Sequence, residues 1–427
     1  MKKVLIISPQ FAPVNSADSH RVRLMLPYLK DNGWYAEIVT VKIDRLEKPV
    51  LDYHLLETIP KNTVIHYVSA FDPQWTRKIG LGSLSLRSFY HYYRFLNSIL
   101  KKQSFDLIFF STTSFHLLAL GKLMKRKFNV PYVLDIQDPW RSDFYLDKPK
   151  KERPPKFLLN YHIDKYLEAF SVSKADGIIS VSKDYLKTFD FRYKAVTKNQ
   201  KVIPFSATSY DFKSIHTDSQ IFKDKNQLNI VYVGRGGHDL RFAITCFFEA
   251  VKHMELKSVE NQNRFTFSFI GTSYAPNGEG IQTIKPISDK IGLCSTVIEK
   301  TDRVGYFEAI DIICKADILF IPGSTDPAYT ASKIYPYILA NKPIIACFHE
   351  NSSVVEILNK CSRVNVVKFN SDLNKVQIVN ELYIQLDYIL NNLNLIDWRH
   401  NIDAMKEYMA PEMTRKITQI FDVTYSK

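Results

Sequence analysis

Short, mostly apolar runs, most of them closed by Gly, Pro, Ser or Asp, recur along the chain and alternate with stretches of helical period. In the first half they fall at residues 4–7, 36–41, 106–110, 132–134 and 177–181, with helical pattern at 20–32, 115–127, 157–173 and 183–189. The pattern restarts at 229–233 and continues with runs at 266–270, 295–298, 318–321, 344–347 and 363–367. A strand that is apolar along its whole length is buried on both faces. A strand-first alternation of such runs with helices predicts parallel sheets covered on both sides. The polar run 206–227 (SATSYDFKSIHTDSQIFKDKNQ) breaks the periodicity and reads as a linker. The expected architecture is α/β: two Rossmann-like parallel-sheet domains, residues 1–210 and 211–400, facing a cleft. A helical tail, residues 401–427, is expected to return to the first domain.

At 427 residues the chain is too long for one ordinary core, in keeping with two domains. Its 45% hydrophobic and 24% charged content is ordinary for a globular protein. The five cysteines (Cys246, Cys294, Cys314, Cys347 and Cys361) lack metal-ligand spacing, and their odd number argues against a disulfide framework. Neither a metal nor a bound cofactor is predicted. No apolar run approaches the roughly 18 residues of a membrane span. Residues 4–7 form a strand ending at Ser8-Pro9 rather than a signal core, so a cytoplasmic protein is expected.

Charge changes the picture. Residues 1–215 hold 34 Lys+Arg against 20 Asp+Glu, whereas residues 216–427 hold 23 against 24. The excess suggests an anionic partner for the first half, a membrane surface or a lipid phosphate, with a solubilising surface as the plainer explanation. Residues 77–102 (RKIGLGSLSLRSFYHYYRFLNSILKK) contain no acid and mix aromatics with cations. That composition fits an interfacial membrane anchor or a core-packed helix with a basic outer face. Residues 148–156 (KPKKERPPK) form a second basic stretch. No zinc, helix-turn-helix or RNA-recognition signature is present, so nucleic acid is not the expected partner.

Two loops carry candidate chemistry. Residues 316–347 (ADILFIPGSTDPAYTASKIYPYILANKPIIAC) read as strand, polar loop, short helix opened near Ser332 and Lys333, and second strand. The loop lies at the carboxyl end of its strand, where open α/β sheets bind ligands. A lysine in a first helical turn opposes the helix dipole, which makes sense beside an anion, although such lysines also arise by chance. The run 229–233 leads into Gly234-Arg235-Gly236-Gly237-His238-Asp239-Leu240-Arg241 and a helix. Glycines after a strand let the backbone approach a phosphate. Asp239 stands where a dinucleotide fingerprint has its third glycine, and the Gly-Lys-Ser/Thr of a P-loop is absent. Arg235 and Arg241 suit forked bonds to phosphate oxygens, and His238 adds a donor. Arg235 and Lys333 together suffice to neutralise a diphosphate without a metal.

Several segments resemble the GT-B glycosyltransferases, particularly the retaining family 4-like group. They are YVGR (232–235), ADILF (316–320), SKIY (332–335) and NKPIIA (341–346) in the second half. In the first half they are KVLIISP (3–9), ADSHRVRL (17–24), VLDIQDPW (133–140) and ADGIISVS (175–182). The resemblance implies a nucleotide-sugar donor held by the second domain and a glycan or lipid-linked acceptor held by the first. It also implies metal-independent hexosyl transfer in surface polysaccharide synthesis. Arg235 matches the family arginine, with Arg241 or Lys333 as second cation. Gly234, Gly236, Gly237, His238, Arg241, Asp326, Tyr329, Thr330 and Ser332 form the expected donor set. An acceptor hydroxyl needs a hydrogen-bond partner. Asp138 in DIQDPW is the first candidate and Asp135 the second, though both suit the turn before Pro139. Ser16, His20, Arg21 and His116 complete the acceptor side.

The chain departs from that group in two places. Many members carry two glutamates eight residues apart before the Lys-Pro; here those positions hold Ala328 and Pro336. Asp326 and Glu350 are the nearby acids left to hold a ribose. The loop 10–19 (QFAPVNSADS) has no glycine, leaving Asn15, Ser16 and Ser19 as donors. The rival readings are a GT-B nucleotide-sugar epimerase and a degenerate sugar-nucleotide-binding scaffold.

Overall fold

The computed structural model describes every residue except 79, 142, 144–145, 147–148, 151–152, 154–156, 194–195, 216–218, 220–226, 328, 364, 371–373 and 427. The chain divides into two compact units, residues 1–206 with 410–427, and residues 207–409.

The first unit is built on strands β1 (Lys2–Ile7), β2 (Trp34–Val41), β3 (Val64–Val68), β4 (Leu107–Ser111), β5 (Tyr132–Ile136), β6 (Gly177–Ser180) and β7 (Gln200–Val202). They form one parallel sheet in the order β3-β2-β1-β4-β5-β6-β7, with Val4 opposite both Ala36 and Leu107. The second unit holds β8 (Leu228–Val233), β9 (Phe265–Ile270), β10 (Thr296–Lys300), β11 (Ile318–Pro322), β12 (Ile344–His349) and β13 (Val367–Phe369). They too are all parallel, in the order β10-β9-β8-β11-β12-β13. The sequence order reverses between β1 and β4 and between β8 and β11. Each sheet therefore has a switch point, and open α/β sheets bind ligands beyond the carboxyl ends of the strands at such points.

The apolar runs are the central strands, and their burial explains the pattern. Val4–Ile7, Leu107–Phe110 and Ile318–Ile321 lie between helical layers and are closed to solvent. In the second unit Phe247 stacks on Phe320 at 4.1 Å and meets Phe267 edge-on at 5.7 Å. Helix Ala410–Tyr425 belongs to the first unit. Its Phe421 packs edge-on against Trp34 (5.3 Å) and Phe109 (5.0 Å). Asn199 donates to Ile420 O (3.2 Å) and Thr424 Oγ1 (2.9 Å) of the same helix. This is the expected return of the tail.

The basic segment becomes helix Leu84–Lys102, capped by Ser83. It turns Tyr92, Leu96 and Ile99 into the core and leaves Tyr90, Tyr93, Arg94, Lys101 and Lys102 exposed. Its buried Arg87 donates to Phe71 O at 2.7 Å and Arg45 O at 3.2 Å. Of the two readings offered by composition, the helix is core-packed with a basic outer face. Residues 148–156 lie largely outside the described residues, as does much of the linker, where helix Ser209–Lys213 is described. β3, β7 and helix Lys375–Asn392 complete the layers, and the last strand lies at Val367–Phe369, displaced towards the carboxyl side of the expected run 363–367. Among the described residues no helix is long and apolar enough to cross a membrane.

Candidate functional site

At the carboxyl edge of the second sheet the chain leaves β8 and runs through Gly234–Gly237. The buried Tyr232, last but one in β8, organises the turn. Its hydroxyl donates to Arg235 O (2.9 Å) and accepts from Lys333 Nζ (3.2 Å), whose amine also lies 4.9 Å from the ring centroid. A Cβ on Gly234 would fall 1.8 Å from that Nζ, so the absence of a side chain there is what lets the lysine lie against the loop. Burial, then the charges of Arg235 and Arg303, push the Lys333 amine down to about 7. Among the described residues no carboxylate pairs with it.

Arg235 is engaged differently. Its guanidinium forks onto Asp239 at 2.8 and 2.6 Å and lies 5.0 Å from the Tyr329 ring centroid. The hydrogen bonds to Asp239 raise its pKa against the opposing effect of burial. Burial works to raise the Asp239 carboxyl, but hydrogen bonds from Arg235 and Ser324 outweigh it and hold the group below the usual carboxylate range. Thr325 N donates to Asp239 O (3.0 Å), tying the loop after β11 to the loop after β8.

The other expected donor residues fall around this centre. Gly236 N donates to Thr272 O at 2.7 Å, while Gly237 precedes the short turn His238–Leu240. His238 is exposed, as is Arg241, which opens helix Arg241–Lys257. Tyr329 N donates to Asp326 O (3.1 Å), and Ser352 Oγ donates to Tyr329 O (3.2 Å). Thr330 is half-buried, and Asp326, Ser332 and Glu350 are exposed. Lys333 does not lie in a first helical turn. It is the residue before helix Ile334–Leu339, only six residues long, so its chemistry rests on burial without an acid rather than on a helix dipole. Pro336 lies inside that helix, and Ala328 is outside the described residues.

Three participants were missed in the sequence. The sequence marks Asp239 only as the residue standing in place of a third glycine. Arg303 and Tyr274, 5.5 Å apart from guanidinium carbon to ring centroid, come from the loops after β10 and β9. The signal for Arg303 was available: it follows a strand end by three residues, much as Arg235 follows β8.

The first unit's carboxyl edge contains the expected acceptor-side residues, most of them internally bonded. Asp18 accepts from Thr112 Oγ1 (3.0 Å) and Thr113 N (3.1 Å), and Ser16 Oγ donates to the same carboxylate. His20 Nε2 meets Asn15 Oδ1 (3.1 Å), and its Nδ1 accepts from Arg23 Nε (3.3 Å). Arg21 is buried: it pairs with Asp135 at 3.0 Å and donates to Ile203 O (2.8 Å) and Pro204 O (3.3 Å). Asp135 also accepts from Ser111 Oγ and Gln137 Nε2, both at 2.7 Å, so neither member of this pair faces solvent. Burial raises the Asp135 carboxyl despite Arg21. His116 meets Ser85 Oγ (2.6 Å) and Asp164 (3.2 Å), and Asp164 accepts from Trp140 Nε1 (3.1 Å). Asp138 is exposed just past β5. Among the described residues no group of three or more His, Cys, Asp or Glu could hold a metal ion.

Two parallel-sheet units with these strand orders, the C-terminal helix returned to the first, make up the GT-B fold, and solved structures share it. An N-terminal domain of trehalose-6-phosphate phosphatase from Candida albicans matches at TM-score 0.65 and 13% identity, over 99% of this chain and 97% of that one. A UDP-forming α,α-trehalose-phosphate synthase from Burkholderia xenovorans matches at 0.63 and 11%, over 99% of both chains. A glycosyltransferase from Rickettsia africae matches at 0.61 and 14%, over 99% and 98%. No family model and no curated protein matches the sequence. Likeness at these identities is likeness of fold.

Proposed function

We propose that the protein is a glycosyltransferase that moves a sugar from a nucleotide-sugar donor to a glycan or lipid-linked acceptor, without a metal. The observation that carries this reading is Lys333, an amine with no carboxylate partner among the described residues, near Arg235 at the carboxyl edge of the second sheet. The leaving nucleoside diphosphate gains charge as the glycosidic bond breaks, and prepositioned cations stabilise it as it forms. Asp138 is the exposed acid assigned to the acceptor hydroxyl. Retention of configuration follows only from the family resemblance and belongs to the same proposal. The names of two of the similar structures, a glycosyltransferase and a UDP-forming synthase, agree with sugar transfer.

The assignment to surface polysaccharide synthesis at the inner membrane face is supported by the positive excess of the first half. The outer face of helix Leu84–Lys102, with Tyr90, Tyr93, Arg94, Lys101 and Lys102, supplies aromatic rings and cations without an acid. A second reading, a sugar-nucleotide-binding scaffold without turnover, is favoured by Pro336 at a position where the resembled group carries glutamate.

Thermal unfolding against uridine, guanosine and adenosine diphosphates and their sugars tests the donor site. A ligand at a hundredfold excess over its Kd stabilises the native state by about 2.7 kcal/mol. A rise in Tm with one nucleotide, lost in Lys333→Ala and Arg235→Ala, is expected. No response to any of them rejects a donor site, and binding without turnover favours the scaffold.

A further inference from the structure

Helix Phe157–Val172 of the first unit is turned inside out. Its acids face inward. Asp164 accepts from Trp140 Nε1 (3.1 Å) and pairs with His116 (3.2 Å). Glu168, fully buried, accepts from Arg141 N (3.2 Å) and Arg192 Nη1 (3.1 Å). Leu158, Leu159, Ile163 and Tyr166 are instead 53%, 60%, 39% and 68% exposed. Their spacing puts all four on one side of the helix, with the exposed His162 among them. A single exposed leucine needs no explanation, whereas a contiguous apolar stripe opposite a face of buried acids does.

The surroundings of the stripe indicate what covers it. Helix Ala119–Phe128 packs against both helix Leu84–Lys102 and helix Phe157–Val172. Lys127 bonds Asn97 Oδ1 and lies 6.0 Å from the Tyr93 ring centroid, while Lys122 lies 4.1 Å from that of Phe170. The three helices thus form one layer. Their sequences contain two acids, Asp164 and Glu168, both engaged as described. Arg94, Lys101, Lys102, Arg126, Lys127 and Lys165 are exposed. The layer therefore shows the outside cations and apolar side chains, and no exposed acid of its own. Two such faces repel each other, which disfavours a second copy of this chain. An anionic bilayer matches both features, since its interface takes the apolar side chains and its headgroups meet the cations.

We propose that the outer face of this helix layer docks on an anionic lipid bilayer, with Leu158, Leu159, Ile163 and Tyr166 entering the interface. This rests on the reading of a protein at the inner membrane face and deepens it. The inserted element becomes helix Phe157–Val172, while helix Leu84–Lys102 supplies flanking charge.

The test is cosedimentation of the full chain with vesicles of phosphatidylcholine alone and of phosphatidylcholine with phosphatidylglycerol. Binding is expected to the anionic vesicles only. Leu159→Gln combined with Ile163→Gln should weaken it about tenfold or more, because two apolar side chains no longer leave water. Arg126→Gln should weaken it about fivefold, the contribution of one cation at such a surface. Val376→Gln with Ile384→Gln, at exposed apolar positions on helix Lys375–Asn392 of the second unit, should leave it unchanged. Melting curves check folding, and Leu158→Ser alone substitutes for a double variant that does not fold. Nucleotide titrations of the same variants should be unaltered, so a failure of the donor reading shows separately. Binding to neither vesicle overturns the proposal and the membrane reading together. Anionic binding that survives in the folded Leu159→Gln, Ile163→Gln variant overturns the proposal and leaves the membrane reading standing. A dimer in analytical ultracentrifugation that this variant dissociates assigns the stripe to a second copy and also overturns it.

Discussion

The two sheets share a winding order and differ in what lies beyond their carboxyl edges. In the first unit the charged groups there answer one another. Arg21 is closed against Asp135, Asp18 collects the hydroxyls and amide of Thr112 and Thr113, and His20 sits between Asn15 and Arg23. Among the described residues at the second unit's edge, Arg235 has its acid, while Lys333 and Arg303 have tyrosine faces instead. A saturated edge is a structural clamp. An edge with uncompensated charge is a candidate site, because an anion bound there lowers its energy. The contrast explains why equally plausible motif residues, Arg21 and Lys333, have opposite assignments.

The largest test of the contrast acts on the saturated edge. Arg21 and Asp135 are both buried, and removing one partner strands the other's charge in the core. Arg21→Ala should cost about 3–5 kcal/mol in chemical denaturation. The double variant Arg21→Met with Asp135→Leu, which removes both charges, should recover most of that loss. If nucleotide titrations place the anion site on the second sheet, folded double variant should bind with unchanged affinity. A double variant as unstable as Arg21→Ala, or one that loses nucleotide, breaks the comparison.

How much of this was legible in the sequence follows the same line between packing and charge. Strands in the middle of each sheet announced themselves because burial on both faces demands unbroken apolar runs. β3, with Val64 38% and Tyr67 50% exposed, lies at the sheet edge, and three-residue β7 is the opposite edge; neither needs such a run. Arg235 and Lys333 were readable because each follows a strand within an irregular loop. Arg303 has the same position after a strand, but no run of glycines beside it singles it out. Asp135 and Asp138, three residues apart, show the converse. Spacing cannot tell them apart, whereas burial makes one a clamp and leaves the other exposed.

The second test uses the pH dependence of the uncompensated edge. Burial, then the charges of Arg235 and Arg303, hold the Lys333 amine down to about 7 in the free protein, where it lies against Tyr232. A bound diphosphate favours the ammonium and raises that value, so binding above pH 7 takes up a proton. By linkage the affinity for uridine diphosphate, or whichever nucleotide binds, should fall as pH rises from 7 to 9, at most about tenfold per unit. The nucleotide's own last ionisation, near pH 6, is complete in this window and does not compete. Lys333→Met should bind weakly with a flat profile. Titrations in buffers of different ionisation heat report the proton directly, and a flat profile in the unaltered protein removes Lys333 from the anion's contacts.

The smallest effect tests whether Asp239 restrains Arg235 or aims it. Asp239→Asn keeps the backbone carbonyl that accepts from Thr325 N and keeps a side chain of the same shape, but removes the charge that holds the guanidinium. If the pair is a wall beside the site, a third cation becomes available and nucleotide affinity should rise a few-fold, about 1 kcal/mol or less. If Asp239 instead aims Arg235 at the phosphates, affinity falls, and Arg235 rather than Lys333 is the centre of the site. Combining Asp239→Asn with Lys333→Met sharpens the outcome, because a freed Arg235 should restore part of what the loss of Lys333 removes. Restoration identifies one shared anion, and independent effects show that Arg235 and Lys333 meet different parts of the ligand.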